Sequence, residues 1–287
     1  SCAIQMRVLL SLLLFAVSAS AVFDDALARN HMLPLSAAAY SDAPQQCLDA
    51  VLDGATLRKQ VTVKCDYFRD KCSGFTFVDE NRTVIGLAFR GSNNPAQMAI
   101  EIQESMFQLK VDFKDGGQVS KYFNDAFQAV WDGGLEEELD FLMSEYPDYD
   151  LWITGHSLGG ALASLAAAHI VSNKLFAAER ISLYTFGQPR IGDQKYADVH
   201  DSLIKESFRV VHDKDLVVHS PPPFELYVHH KYEVFYDNAM KEGDHYTVCA
   251  EQEDKKCSDK YVFQLLLSDH THYYGKDVAV YGRQGCQ

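Results

Sequence analysis

Two periods of apolar and polar residues alternate along this chain. Short runs rich in β-branched and aromatic side chains, at 74–78, 83–89, 149–154, 181–186, 207–212 and 228–236, have the length and content of strands. Residues 24–40, 121–146, 158–171 and 193–204 carry helical spacing or small, helix-tolerant side chains, and Gly133-Gly134 predicts a break within the second. Strand and helix therefore alternate through the middle of the chain. That order predicts an α/β fold with a mixed, largely parallel central sheet and helices on both faces. No linker, repeat or low-complexity stretch interrupts residues 22–287, which read as a single domain.

One junction carries chemistry. The strand Tyr149 to Thr154 runs into Gly155-His156-Ser157-Leu158-Gly159, and the small residues Gly160 to Ala168 follow as a helix. A G-x-S-x-G turn between strand and helix holds its serine in a strained backbone with Oγ exposed above the sheet, and the next N–H is placed to stabilise an oxyanion. A serine hydroxyl is a poor nucleophile unless a histidine takes its proton and a carboxylate orients that histidine. Candidates follow in the order acid then histidine. Asp213 or Asp215 stands at the carboxyl end of the strand Ser207 to His212, and His270 or His272 stands near the C-terminus. Spacing alone does not choose within either pair.

Taken together, several separate blocks resemble the secreted class 3 (fungal-type) lipases, and within them the branch found in nematodes. The blocks are Asp25 to Arg29, Leu33 to Ser41, Phe89-Arg90-Gly91-Ser92, Tyr122 to Phe127, Gly155 to Ala161, Thr185 to Asp193, Arg209-Val210-Val211, Asp215-Leu216-Val217, Asp269-His270 and Tyr273. The resemblance implies an α/β-hydrolase fold, with Ser157 as nucleophile, Asp215 as acid and His270 as base. It further implies that the backbone N–H groups of Ser92 and Leu158 form the oxyanion hole, which agrees with one donor after the nucleophile and one after an earlier strand. Two places depart from the family pattern. A proline is usual two residues past the valine aligned with Val217, whereas here Val218 and His219 precede Ser220-Pro221-Pro222, and Lys231 stands where glycine is typical in a His-x-Gly-x-Glu stretch read here as His229 to Glu233.

Met6-Arg7, an apolar run from Val8 to Val17 and Ala19-Ser20-Ala21 form a signal peptide, too short to span a membrane, with Ser1 to Gln5 an upstream extension. The mature protein is then secreted and extracellular, without an integral membrane segment. Apart from Cys2, six cysteines remain, which in a secreted chain read as disulfides. Close spacing pairs Cys65 with Cys72 and Cys249 with Cys257, leaving Cys47 for Cys286; the resemblance implies the same. No Cys-x-x-Cys pair suggests zinc, and His229-His230 reads as a polar strand edge rather than a metal site. A formal charge of −14 disfavours nucleic acid and anionic membranes as electrostatic partners. Asn81-Arg82-Thr83, in a turn between two strands, is a candidate glycosylation site.

The segment 93–107 begins with a turn and continues with Met98, Ile102 and Met106 on one helical stripe. In the family this position is a lid over the serine, whose apolar face meets the lipid–water interface when open. The sequence therefore points to a carboxylic-ester hydrolase, foremost a triacylglycerol lipase. A phospholipase A1 or soluble-ester esterase would use the same chemistry, and a non-catalytic lipid-binding homologue is the reading from another class. No metal or organic cofactor is required, because serine, histidine, aspartate and two amides complete acyl transfer.

Overall fold

Eight strands form the central sheet of the computed structural model, which describes residues 22–65, 71–93, 109–222, 226–261 and 263–287. They are β1 (Ala55–Lys64), β2 (Lys71–Asp79), β3 (Val84–Phe89), β6 (Asp150–His156), β7 (Ile181–Phe186), β8 (Glu206–His212), β9 (Glu233–Tyr236) and β10 (Thr247–Cys249); β4 (Lys110–Asp112) and β5 (Gln118–Ser120) make a separate hairpin. The order is β1-β2-β3-β6-β7-β8-β9-β10. Pairing is parallel from β3 through β9 and antiparallel at both margins. The mixed, largely parallel sheet expected from the strand and helix pattern is present.

Both sheet faces are apolar because successive side chains point to opposite sides. Ile85, Leu87, Leu151, Ile153 and Leu183 pack with Ala161, Leu162 and Leu165 of the helix Leu158–Ser172, and with Phe123, Phe127 and Leu139 of the interrupted helix 121–145. The intervening Ala88, Tyr184, Phe186, Phe208 and Val210 pack against Met32, Leu35 and Ala38 of the N-terminal helical stretch. Each large apolar side chain buried this way contributes about 1.5–3 kcal/mol. The helix after Ser157 is buried on nearly every side, and its alanines and glycines let it lie close to the strands.

The structure departs from the pattern at the last predicted strand. Its extended run begins at Glu233, not 228, because Tyr232 adopts φ 64° and turns the chain. Val228 makes an isolated bridge to Gly192, and His229 and His230 are buried rather than exposed on a polar edge. His229 Nε2 donates to Val218 O at 2.8 Å, and the His230 ring stacks on His200. Strand β1 and the helix Gln45–Val51 escape the hydrophobic pattern. β1 is an edge strand whose Arg58, Lys59, Gln60 and Lys64 mask its alternation.

Cys47–Cys286, Cys65–Cys72 and Cys249–Cys257 are bonded. Among the described residues no helix is long and apolar enough to cross a membrane. The first bridge ties the helix Gln45–Val51 to the C-terminus across a sequence separation of 239, whereas the second closes a separation of 7. Loop-closure entropy then makes the long bridge worth roughly 5 kcal/mol and the short one roughly 2–3. Urea denaturation of Cys47→Ser/Cys286→Ser beside Cys65→Ser/Cys72→Ser is expected to show the larger loss in the first pair; equal losses would contradict this ranking.

Candidate active site

Ser157 stands where β6 gives way to the helix Leu158–Ser172, at φ 61° and ψ −130°. A residue with a side chain held there carries about 1–3 kcal/mol of strain, which the surrounding structure must over-determine. Its N–H donates to Phe186 O on β7 at 2.9 Å. Strand and helix can close on each other only because positions 155 and 159 lack side chains. A Cβ on Gly155 would lie 2.1 Å from Gly159 O, and one on Gly159 would lie 2.2 Å from Phe89 O.

Three buried side chains converge at this turn. His270, in the short helix Leu267–Thr271, places Nε2 2.8 Å from Ser157 Oγ. Its Nδ1 lies 3.0 Å from each oxygen of Asp215, just past the end of β8. A ring nitrogen facing a carboxylate carries the proton, so Nε2 is left to accept from the Ser157 hydroxyl. Asp215 also accepts from Tyr273 Oη–H at 2.6 Å and from Val217 N–H at 2.8 Å. Burial alone pushes its carboxyl up, but the facing His270 and these donors outweigh that and hold it below the usual carboxylate value.

The backbone around the serine suits a developing negative charge. Leu158 opens its helix, so its N–H has no carbonyl one turn earlier within that helix. The loop after β3 comes alongside, since a Cβ on Gly91 would lie 3.0 Å from Ser157 Cβ, and Ser92 follows directly. The other sequence candidates lie elsewhere. Asp213 donates its N–H to Tyr236 O at 2.7 Å and faces Tyr261, while His272 is exposed with Nδ1 3.0 Å from Ser268 O. Residues 94–108, which include most of the segment compared with a lid, lie outside the described residues.

Sequence reasoning left three contributors without a role. Tyr273 anchors the Asp215 carboxyl; it stands three residues after His270 and closes the last block of the resemblance, which gave it no role. Gly187, at φ 59°, clears the site, since a Cβ there would meet Asp215 Oδ2 at 2.8 Å and His270 Nδ1 at 2.9 Å. His156, inside the serine motif, bonds Tyr40 Oη and His270 O, both at 2.8 Å.

A second group of ionisable side chains, His200, Asp201 and His230, offers ligand atoms within 4.8 Å of one another. The imidazoles stack 3.9 Å apart at 19°, so their lone pairs lie in nearly parallel planes, and His200 Nε2 and His230 Nε2 face Ser164 and Gln188. Burial and the neighbouring Arg209 charge lower the pKa of both rings, and a cation would meet the same repulsion.

Removing the Tyr273 hydroxyl takes away a donor that holds the Asp215 carboxyl down. A group whose pKa is lowered by folding contributes stability above its unfolded value and loses it as pH falls through the folded one. Tyr273→Phe is therefore expected to lose about 2 kcal/mol of stability near neutral pH, the scale of a hydrogen bond to a charged group. Its acid limb of kcat/KM should shift to higher pH. Urea titrations and a pH–rate profile check both, and an unmoved acid limb would count against this role.

The region 86–225 matches the family model described as Lipase (class 3). The chain is 33% identical to the Caenorhabditis elegans protein named Lipase ZK262.3, over 89% of this chain and 80% of that protein. It is 30% identical to the lipase of Rhizomucor miehei over 69% of this chain, and spans about half, 53%, of that relative. The crystal structure of the lipase from Rhizopus microsporus var. chinensis superposes with a TM-score of 0.75 at 27% identity, covering 86% of each chain. A serine–histidine–aspartate geometry on this sheet and a nematode relative matched over most of its length lead to one assignment: the chain is a serine hydrolase belonging to the class 3 lipase family.

Proposed function

We propose that this chain hydrolyses triacylglycerols at a lipid–water interface, through an acyl-enzyme on Ser157. The observation that carries the reading is the 2.8 Å contact between His270 Nε2 and Ser157 Oγ at a strand-to-helix turn of positive φ. In the first half-reaction His270 Nε2 takes the Ser157 proton as Oγ attacks the ester carbonyl. Asp215 stabilises the resulting imidazolium and keeps its ring in register. The amides of Leu158 and Ser92 receive the tetrahedral oxyanion. Collapse expels the alcohol, protonated by His270, and water repeats the cycle on the acyl-enzyme to release the fatty acid.

A lipid phase as substrate is supported by the family and by the surface beside the acid. Leu266 bridges the backbone of Asp215 and is exposed. Secretion, with residues 1–21 removed as a signal peptide, is supported by three disulfides, which persist in oxidising compartments. Asn81 is proposed as a glycosylation site. It is exposed at the turn before β3, and its Nδ2 donates to Asp53 O at 2.7 Å with one of two amide protons, leaving the other for a glycan.

Fatty-acid release from emulsified long-chain triglyceride is the direct test. The native chain is expected to release acid and Ser157→Ala to release none. Asp215→Asn is expected to lower kcat roughly 10⁴-fold, whereas Asp213→Asn and His272→Ala should stay within a few-fold. Activity that saturates below the solubility limit of a short-chain ester, with none on emulsion, would replace the lipase reading with a soluble esterase. Silence on every ester would favour a lipid-binding role.

A further inference from the structure

The N-terminal helical stretch reaches the catalytic centre through one side chain. Tyr40, buried at its end, lies with Oη 2.8 Å from His156 Nδ1. On the other side of the same ring, His156 Nε2 lies 2.8 Å from the backbone oxygen of His270. The protons in this chain are fixed by elimination. A carbonyl oxygen only accepts, so Nε2 carries the hydrogen; Nδ1 then accepts, and the tyrosine hydroxyl donates to it. Burial, and then the nearby His270, lower the His156 pKa to about 3, so the ring stays neutral in this one tautomer.

The tyrosine oxygen also touches the loop on the far side of the serine. A Cβ on Gly91 would lie 2.1 Å from Tyr40 Oη and 2.6 Å from His156 O, and the Gly91 amide opposes the rise that burial imposes on the tyrosine hydroxyl. Gly91 immediately precedes Ser92. One buried pair thus abuts both the loop bearing an oxyanion donor and the backbone of the base. The His156 and His270 rings themselves stack at 4.8 Å and 27°.

We infer that Tyr40 and His156 are positioning residues for acyl transfer, a relay of fixed protons that holds the His270 backbone and the Gly91–Ser92 loop in register with Ser157. The inference rests on the proposed role of Ser157, His270 and Asp215. Neither residue exchanges a proton with substrate. His156 has both nitrogens engaged, and Tyr40 keeps its hydrogen at working pH. Their contribution is geometric, and small displacements of a base or an oxyanion donor are costly in rate.

The test uses the full oxidised chain and a soluble short-chain ester. Tyr40→Phe keeps the ring and deletes the donor, freeing His156 to adopt the other tautomer and release the His270 carbonyl. Its kcat is expected to fall about tenfold or more with KM nearly unchanged, and phosphonylation of Ser157 by an organophosphate should slow in parallel. The comparison variant is Thr154→Val. Thr154 Oγ1 bonds Met32 O at 3.1 Å and Tyr184 O at 2.8 Å, so it also fastens the N-terminal helical stretch to the sheet but does not touch the centre. It should lower thermal stability and leave kcat within twofold. A folded Tyr40→Phe with native kcat, or equal kcat losses in both variants, would overturn the relay. Nitrogen-15 NMR of the unmodified protein tests it without mutation: a His156 ring protonated on Nδ1, or titrating between about pH 5 and 9, would overturn it too. Inactivity of the wild-type chain on every ester would instead remove the catalytic reading, which Ser157→Ala tests separately.

Discussion

The contact between β6 and the helix that follows it governs the rest of the molecule. With no side chain at 155 or 159, the helix start sits against β6 and the end of β3 closely enough that any Cβ would strike a backbone oxygen. Ser157 is forced to positive φ by that closeness, and its hydroxyl is thereby turned toward the carboxyl ends of the strands. Parallel order from β3 to β9 brings three further segments of the site to the same edge. The loop bearing Ser92 leaves β3, Gly187 follows β7, and Asp215 follows β8. Catalytic geometry here is a consequence of sheet topology, with one strained residue at its centre.

Burying a carboxylate beside that residue is expensive unless its lone pairs are filled. Asp215 is fully buried, and three donors fill them: the His270 ring, the Tyr273 hydroxyl and the Val217 amide. The loop carrying it is braced from behind. Arg190 is itself buried, donates to Glu253 at 2.9 and 2.7 Å and to Asp259 at 3.1 Å, and holds Pro221 O at 3.1 Å. Burial and the adjacent Glu253 push the Asp259 carboxyl up to about 7, while the Arg190 pairing holds Glu253 low. The Cys249–Cys257 bridge constrains the segment that carries Glu253, so the Asp215 loop is backed by a covalent bridge and by ion pairs to a buried arginine.

How much of this was legible follows from the kind of signal each feature leaves. Buried parallel strands and the alanine-rich helix announce themselves by composition, which is why β3, β6, β7 and β8 were placed within a residue or two. β1 escapes because Arg58, Lys59, Gln60 and Lys64 interrupt its apolar positions Leu57, Val61 and Val63, although it pairs with the next strand along the chain. The strand at 228–236 was drawn too long because His229 and His230 look like the polar half of an alternation. Their burial is tertiary, made by Val218, Gln188 and His200, which no local window contains. Ser157 was legible from five adjacent residues, but spacing left Asp213 beside Asp215 and His272 beside His270. Topology separates them: His270 faces Ser157 and Asp215 faces His270, whereas Asp213 faces Tyr261 and His272 faces solvent.

The two histidines beside Ser157 show how environment, rather than proximity, decides what an imidazole can do. His156 precedes Ser157 in sequence and its ring stacks on that of His270, yet the two have opposite partners. His270 faces a carboxylate on one side and the Ser157 hydroxyl on the other. His156 faces a carbonyl and a hydroxyl in a site where burial disfavours charge, and protonating it would leave the tyrosine donor opposing an N–H. The same side chain is thus a proton acceptor at one position and a rigid spacer 4.8 Å away. What separates them is the group each ring faces: a carboxylate at His270, a carbonyl and a tyrosine hydroxyl at His156.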